Sequence, residues 1–137
     1  MESAMPKLYF NNRDELTCID AHKVAVVQAS GNYSRVVYIT KREIMLTHGI
    51  TKLEEILKLY NSNDCRFIRL GRSIIINHAF LQKIDVMRQH IVLSDGDKNE
   101  IRVTIPKQIL KSYKNAVVKS IHIKESRYEN NHSGERG

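Results

Sequence analysis

From Leu8 to Thr104 apolar side chains recur mostly at every second position, in short runs broken by glycine, asparagine and aspartate. A period of two puts alternate side chains on one face of a strand, so the pattern predicts a mainly β chain of short, half-buried strands. Ten are expected: Lys7–Phe10, Glu15–Ile19, Val24–Ala29, Ser34–Thr40, Glu43–Thr47, Arg66–Leu70, Ile74–Asn77, Leu81–Arg88, His90–Ser94 and Glu100–Ile105. They are rich in Val, Ile and Tyr, which suit a pleated surface. Ser30-Gly31-Asn32 and Asp95-Gly96-Asp97 fall between such runs, where glycine supplies the positive φ of a tight hairpin turn.

Two segments change period. Ile50, Leu53, Ile56, Leu57 and Tyr60 recur at three- and four-residue spacing, which predicts a helix over Ile50–Tyr60 with Thr51 as its cap and Glu54 three residues on. A second helix is expected from about Pro106, with Ile109, Leu110, Tyr113 and Val117 as its apolar stripe across the sheet. The tail Lys124–Gly137 is polar and without apolar periodicity, so it is expected to be flexible, and residues 1–6 are expected to be disordered. Between them residues 7–123 form one domain, because 137 residues leave no room for a second full one.

Composition narrows the function classes. Hydrophobic residues at 42% and charged residues at 27% suit a chain that folds. No apolar run approaches the ~20 residues of a membrane span, and Met1–Pro6 lacks the features of a signal peptide, so a cytoplasmic location is expected. Cys18 and Cys65 are far apart without a CxxC partner and the six histidines are scattered, so neither a metal nor any other cofactor is expected. Lys and Arg number 22 against 15 acidic residues; the net charge of +7 favours polyanions such as nucleic acid.

The most informative stretch is Phe67-Ile68-Arg69-Leu70-Gly71-Arg72-Ser73-Ile74-Ile75-Ile76-Asn77, preceded by Arg66. Arg66, Arg69 and Arg72 cannot all be buried, since an unpaired buried guanidinium is prohibitively costly, and at least Arg72 is expected at the surface. An arginine there can fork to guanine O6 and N7.

This stretch resembles the signature of the LytTR family of bacterial transcription regulators, with Phe67, Arg69, Arg72, Ser73 and Asn77 in matching order. Val24–Ile39 resembles the family segment in which Gly-Asn-Tyr separates two strands, matched by Gly31, Asn32 and Tyr33. The run Ile50–Leu57 falls at the family's LxxLEExL helix, and Leu93–Thr104 at its late hairpin, so the resemblance spans about Leu16–Val118. It implies about ten short strands in small stacked sheets with one or two short helices, and loops that enter successive major grooves of double-stranded DNA.

Carried over by position, the resemblance makes Ser34, Arg35 and Arg72 base contacts. It makes Asn32, Tyr33, Arg69, Ser73, Asn77 and Lys107 phosphate contacts or loop-shaping residues. Where the family commonly follows Val-Ser with Arg, Val103-Thr104 is followed here by Ile105, which puts a third base contact in doubt and leaves Lys107 as a phosphate contact. Family members usually follow a receiver domain and occupy two direct repeats. The resemblance therefore implies a stand-alone regulator or an excised output domain, nucleoid-associated when bound, with two copies on promoter DNA.

Other readings compete. Ser73, His78, His90 and Asp85 are the ingredients of a hydrolase triad, but no nucleophile elbow accompanies them, and an enzyme is not expected. Tyr33, Tyr38 and Phe67 could stack on unpaired bases, although several of the nine aromatics are needed for a core. The alternatives are a protein–protein interaction module and a non-specific nucleic-acid-binding β domain.

Overall fold

Val24-Ala25-Val26-Val27 is apolar at every position, which suits a strand covered on both faces. In the computed structural model, which describes the backbone at residues 7–62 and 65–131 and side chains at 7–62 and 65–121, all four are buried.

Among the described residues the chain forms ten strands: β1 (Lys7–Asn11), β2 (Leu16–Asp20), β3 (Val24–Ser30), β4 (Tyr33–Tyr38), β5 (Glu43–Leu46), β6 (Phe67–Leu70), β7 (Ile74–Asn77), β8 (Leu81–Asp85), β9 (His90–Ser94) and β10 (Glu100–Thr104). Helix α1 (Ile50–Lys58) lies between β5 and β6, and α2 (Lys107–Asn131) follows β10. The strands make a β1–β2 hairpin, a central sheet in the order β5-β4-β3-β7-β6 and a three-stranded sheet in the order β10-β9-β8, with antiparallel pairing throughout.

The central sheet has a core on each face. On one, Val27, Val36 and Ile75 meet Leu8, Phe10 and Ile19 of the hairpin and Ile50, Leu53 and Leu57 of α1. On the other, Val26, Val37 and Ile76 meet Ile91, Leu93 and Val103 of the smaller sheet and Leu110 and Tyr113 of α2. A register shift between Val24 and Val26 reverses the alternation, so the consecutive residues Ala25 and Val26 share one core while Val24 and Val27 share the other. Ile75 and Ile76, adjacent in sequence and fully buried in opposite cores, each contribute about 1.5–3 kcal/mol by burial.

Four expectations are corrected. The strand expected over Ser34–Thr40 begins at Tyr33 and ends at Tyr38, where the Lys41 amide donates to the Tyr38 carbonyl at 2.7 Å and Lys41 takes φ +80°. The strand expected over Leu81–Arg88 stops at Asp85, because the chain turns through Gln89 at φ +57°. Gly49, not Thr51, is the cap position of α1, without a side-chain cap; Glu54 is engaged elsewhere. Finally, α2 continues to Asn131, so the tail expected from Lys124 has a helical backbone that far. Propagating an established helix through Lys, Glu, Ser and Arg costs little per residue, even where no apolar stripe continues. The expected disordered residues 1–6, and the tail beyond Asn131, lie outside the described residues.

Candidate nucleic-acid interface

The β3–β4 hairpin closes on the pair Ser30–Tyr33, which leaves Gly31 and Asn32 as the turn. Gly31 has φ +63°, Asn32 is exposed and Tyr33 is 50% exposed. The β6–β7 hairpin turns through Gly71-Arg72-Ser73, with Gly71 at φ +76°. The Ala29 amide donates to the Ser73 carbonyl at 2.8 Å, which joins the two turns side by side. Gly71 also packs against the first turn of α2, where a Cβ would stand 2.7 Å from Ile109 Cδ1. Three segments distant in sequence thus meet at one end of the central sheet. Lys107 is exposed as the first residue of α2, two positions before Ile109, and the opening bond of the helix runs from the Leu110 amide to the Pro106 carbonyl at 3.1 Å.

Arg69 holds the middle segment. It lies opposite Ile75 and so shares the α1 face of the sheet. Its Nη1 donates to Glu54 Oε1 at 2.8 Å, Nε to the Gly71 carbonyl at 3.0 Å and Nη2 to the Arg72 carbonyl at 2.6 Å. Glu54 also receives Lys58 Nζ at 3.0 Å, and these two cations, Lys58 first, hold its carboxyl below the usual carboxylate range. With Arg69 committed to its own hairpin, Arg72 at the turn is exposed, and its guanidinium bonds no other described residue.

Beside it, Met45, Arg35, Gln28 and Ile74 lie in register across β5, β4, β3 and β7. They line a hollow of about 500 Å³ together with Ala29, Ser30 and Ser73. The Arg35 side chain is 41% exposed; it donates to Gln28 Oε1 and reaches Glu43 Oε1 at 3.4 Å.

Of the residues singled out from the sequence, Asn32, Tyr33, Arg35, Arg72, Ser73 and Lys107 are at least partly accessible around this end. Two are not. Ser34 is 0% exposed and its hydroxyl donates to the His48 carbonyl at 2.7 Å, so the expectation of a base contact there is corrected. The alternation that brings Arg35 to the hollow turns its neighbour to the opposite face. Asn77 is buried as well: its Oδ1 accepts from the Ala79 and Arg66 amides and its Nδ2 donates to the Val24 carbonyl, which fits a loop-shaping role and not a phosphate contact. Ile105, at the position of doubt, is fully buried in the core beneath α2.

The remaining ingredients are spread out. Ser73 lies at the end of the central sheet, whereas Asp85 and His90 face each other on β8 and β9 and His78 bonds Tyr113. Tyr38 and Phe67 are core residues, which leaves Tyr33 as the exposed member of the aromatic trio. Gln28, Glu43 and Met45 were not singled out from the sequence. Counting outward from Gly31-Asn32 pairs Gln28 with Arg35, a signal that was available.

No family model matches the sequence, and no curated protein does. Among solved structures, the LytTr DNA-binding domain of a Bacillus cereus protein described as a methyl-accepting/DNA response regulator matches with a TM-score of 0.53 at 19% identity. The match covers 82% of this chain and 95% of that domain. Ten strands in three small sheets with two helices thus form a LytTR-type fold.

Proposed function

We propose that the chain is a sequence-specific regulator of transcription that binds double-stranded DNA through the end of its central sheet. The observation that carries this reading is the meeting of the two hairpin turns and the start of α2, with the Arg72 guanidinium between them bonded to none of the described residues. In the proposed complex Arg72 and Arg35 reach base edges in the major groove, where a guanidinium is matched to guanine. Lys107, Asn32, Tyr33 and Ser73 meet phosphates and set the register. The LytTr domain that shares the fold is described as DNA-binding, and the net charge of +7 favours the same partner. Two copies on direct repeats follow from the same reading.

The test is fluorescence anisotropy with a selected duplex and a scrambled one over a range of salt. Arg72→Ala is expected to lower specific affinity by about 1–3 kcal/mol and relax base preference. Lys107→Ala is expected to weaken both duplexes alike and reduce the salt slope by about one. Equal affinity of wild type and Arg72→Ala for the selected duplex removes Arg72 from the interface.

A further inference from the structure

We infer that Gln28 is a specificity-determining residue of this surface, and that its pairing with Arg35 makes it a reader of guanine in place of adenine. The inference rests on the DNA-binding reading above and assigns a base preference to the hollow beside Arg72. Gln28 and Arg35 are direct cross-strand partners, flanked in the same row by Met45 and Ile74, with Ser30 and Ser73 also lining the hollow.

A glutamine amide standing alone offers an acceptor and a donor side by side, the pattern that matches N6 and N7 of adenine. Here one lone pair of that acceptor is engaged and the oxygen is turned toward Arg35. A guanidinium carries only donors, so the oxygen of the Gln28 amide must be the atom turned to Arg35, as the contact between Arg35 Nη2 and Gln28 Oε1 has it. With its oxygen held toward Arg35, Gln28 turns its two Nε2 hydrogens to a ligand, and Arg35 adds further N–H groups. The donors that this pair turns outward fit the one base that presents two acceptors in the major groove, guanine with N7 and O6, and the Ser30 and Ser73 hydroxyls beside them can donate as well. Adenine meets it with the N6 amino group, cytosine with the N4 amino group, and thymine with a single acceptor beside a methyl. Glu43, at 3.4 Å from Arg35 Nη1, tethers the guanidinium on its other side.

The experiment is selection from a randomised duplex library, read by sequencing, for the full-length wild type and three variants whose folding is checked by circular dichroism. Wild type is expected to enrich guanine at one position of its motif. Arg35→Met keeps the aliphatic stem and releases Gln28 Oε1, so that position is expected to change to adenine, a reversal of roughly tenfold or more in preference, with the rest of the motif retained. Gln28→Leu is expected to lose the preference at that position alone. Gln28→Glu keeps the shape and the bond to Arg35 but loses the amide donors, so it too is expected to lose guanine; it serves if Arg35→Met does not fold. A motif unchanged by Gln28→Leu and Gln28→Glu, or an Arg35→Met motif that loses guanine without gaining adenine, overturns the inference and leaves DNA binding standing. Failure of wild type to enrich any motif overturns the DNA reading itself, and this inference with it.

Discussion

Arg69 and Arg72 stand three positions apart and have opposite surroundings, although both are arginines in one short run. Arg69 makes three internal bonds that fix the turn, while Arg72 is carried by that turn into solvent. Between them Gly71 meets two constraints: its φ of +76° lies in the left-handed region, and the Ile109 side chain stands where a Cβ would be. The methyl at Ile109 can move aside, so the backbone term decides the outcome. Gly71→Ala is expected to destabilise the fold by roughly 1–2 kcal/mol, measured by urea denaturation, and an unchanged midpoint would show that the turn relaxes without cost. At this scale the sequence was only partly legible. The cost of burying an unpaired guanidinium implied that not every arginine is buried, but nothing local to Arg69 pointed to Glu54, fifteen residues earlier and brought near only by packing of α1. Ser34 misled because its place beside Arg35 in a matched segment says nothing about which face of the strand it occupies.

Helix α1 covers one core and, through Glu54, braces the β6–β7 hairpin at the candidate interface. Because the folded carboxyl titrates below its ordinary range, its contribution to stability is complete above the unfolded value of about 4.5 and is lost as pH falls through the folded value. Glu54→Gln is therefore expected to flatten the dependence of melting temperature on pH as the pH falls below about 5. A variant with the same acid limb as wild type would show that the Lys58 and Arg69 contacts contribute nothing measurable. Most elements themselves were legible from periodicity: all ten strands and both helices were expected near where they occur. Ends were less so, since the turns at Lys41 and Gln89 use positive φ without glycine, and such a turn has no strong local signal. The length of α2 escaped for a related reason, because its last turns continue from a packed beginning and show no stripe of their own.

At the scale of the whole molecule, the central sheet is shared by two cores, and this sharing predicts how the chain unfolds. Ile75→Ala and Ile76→Ala open cavities on opposite faces and are each expected to cost about 2–5 kcal/mol. Both should shift one common transition, because neither core keeps its sheet when the other is lost. Two separate transitions in either variant would show that the layers unfold independently. The same arrangement organises the candidate interface: the hairpins that carry Arg35 and Arg72 are strands of the shared sheet, and α2 reaches them from the second core. Charge and the matched segments made a DNA-binding surface an expectation from the sequence. The meeting of residues 30–35, 71–74 and 107–109 at one end was not visible there, because it depends on strand order and on the packing of α2 against Gly71, which no composition or spacing reports.

The claim that these three segments form one DNA-binding surface is tested most directly by recording the two-dimensional amide NMR spectrum of the full chain as duplex DNA is added. Shifts are expected to cluster at Ser30–Arg35, Gly71–Ile74 and Lys107–Ile109. Shifts centred on the β1–β2 hairpin around Tyr9 and Leu16, or a spectrum unaffected by duplex at low salt, would contradict it.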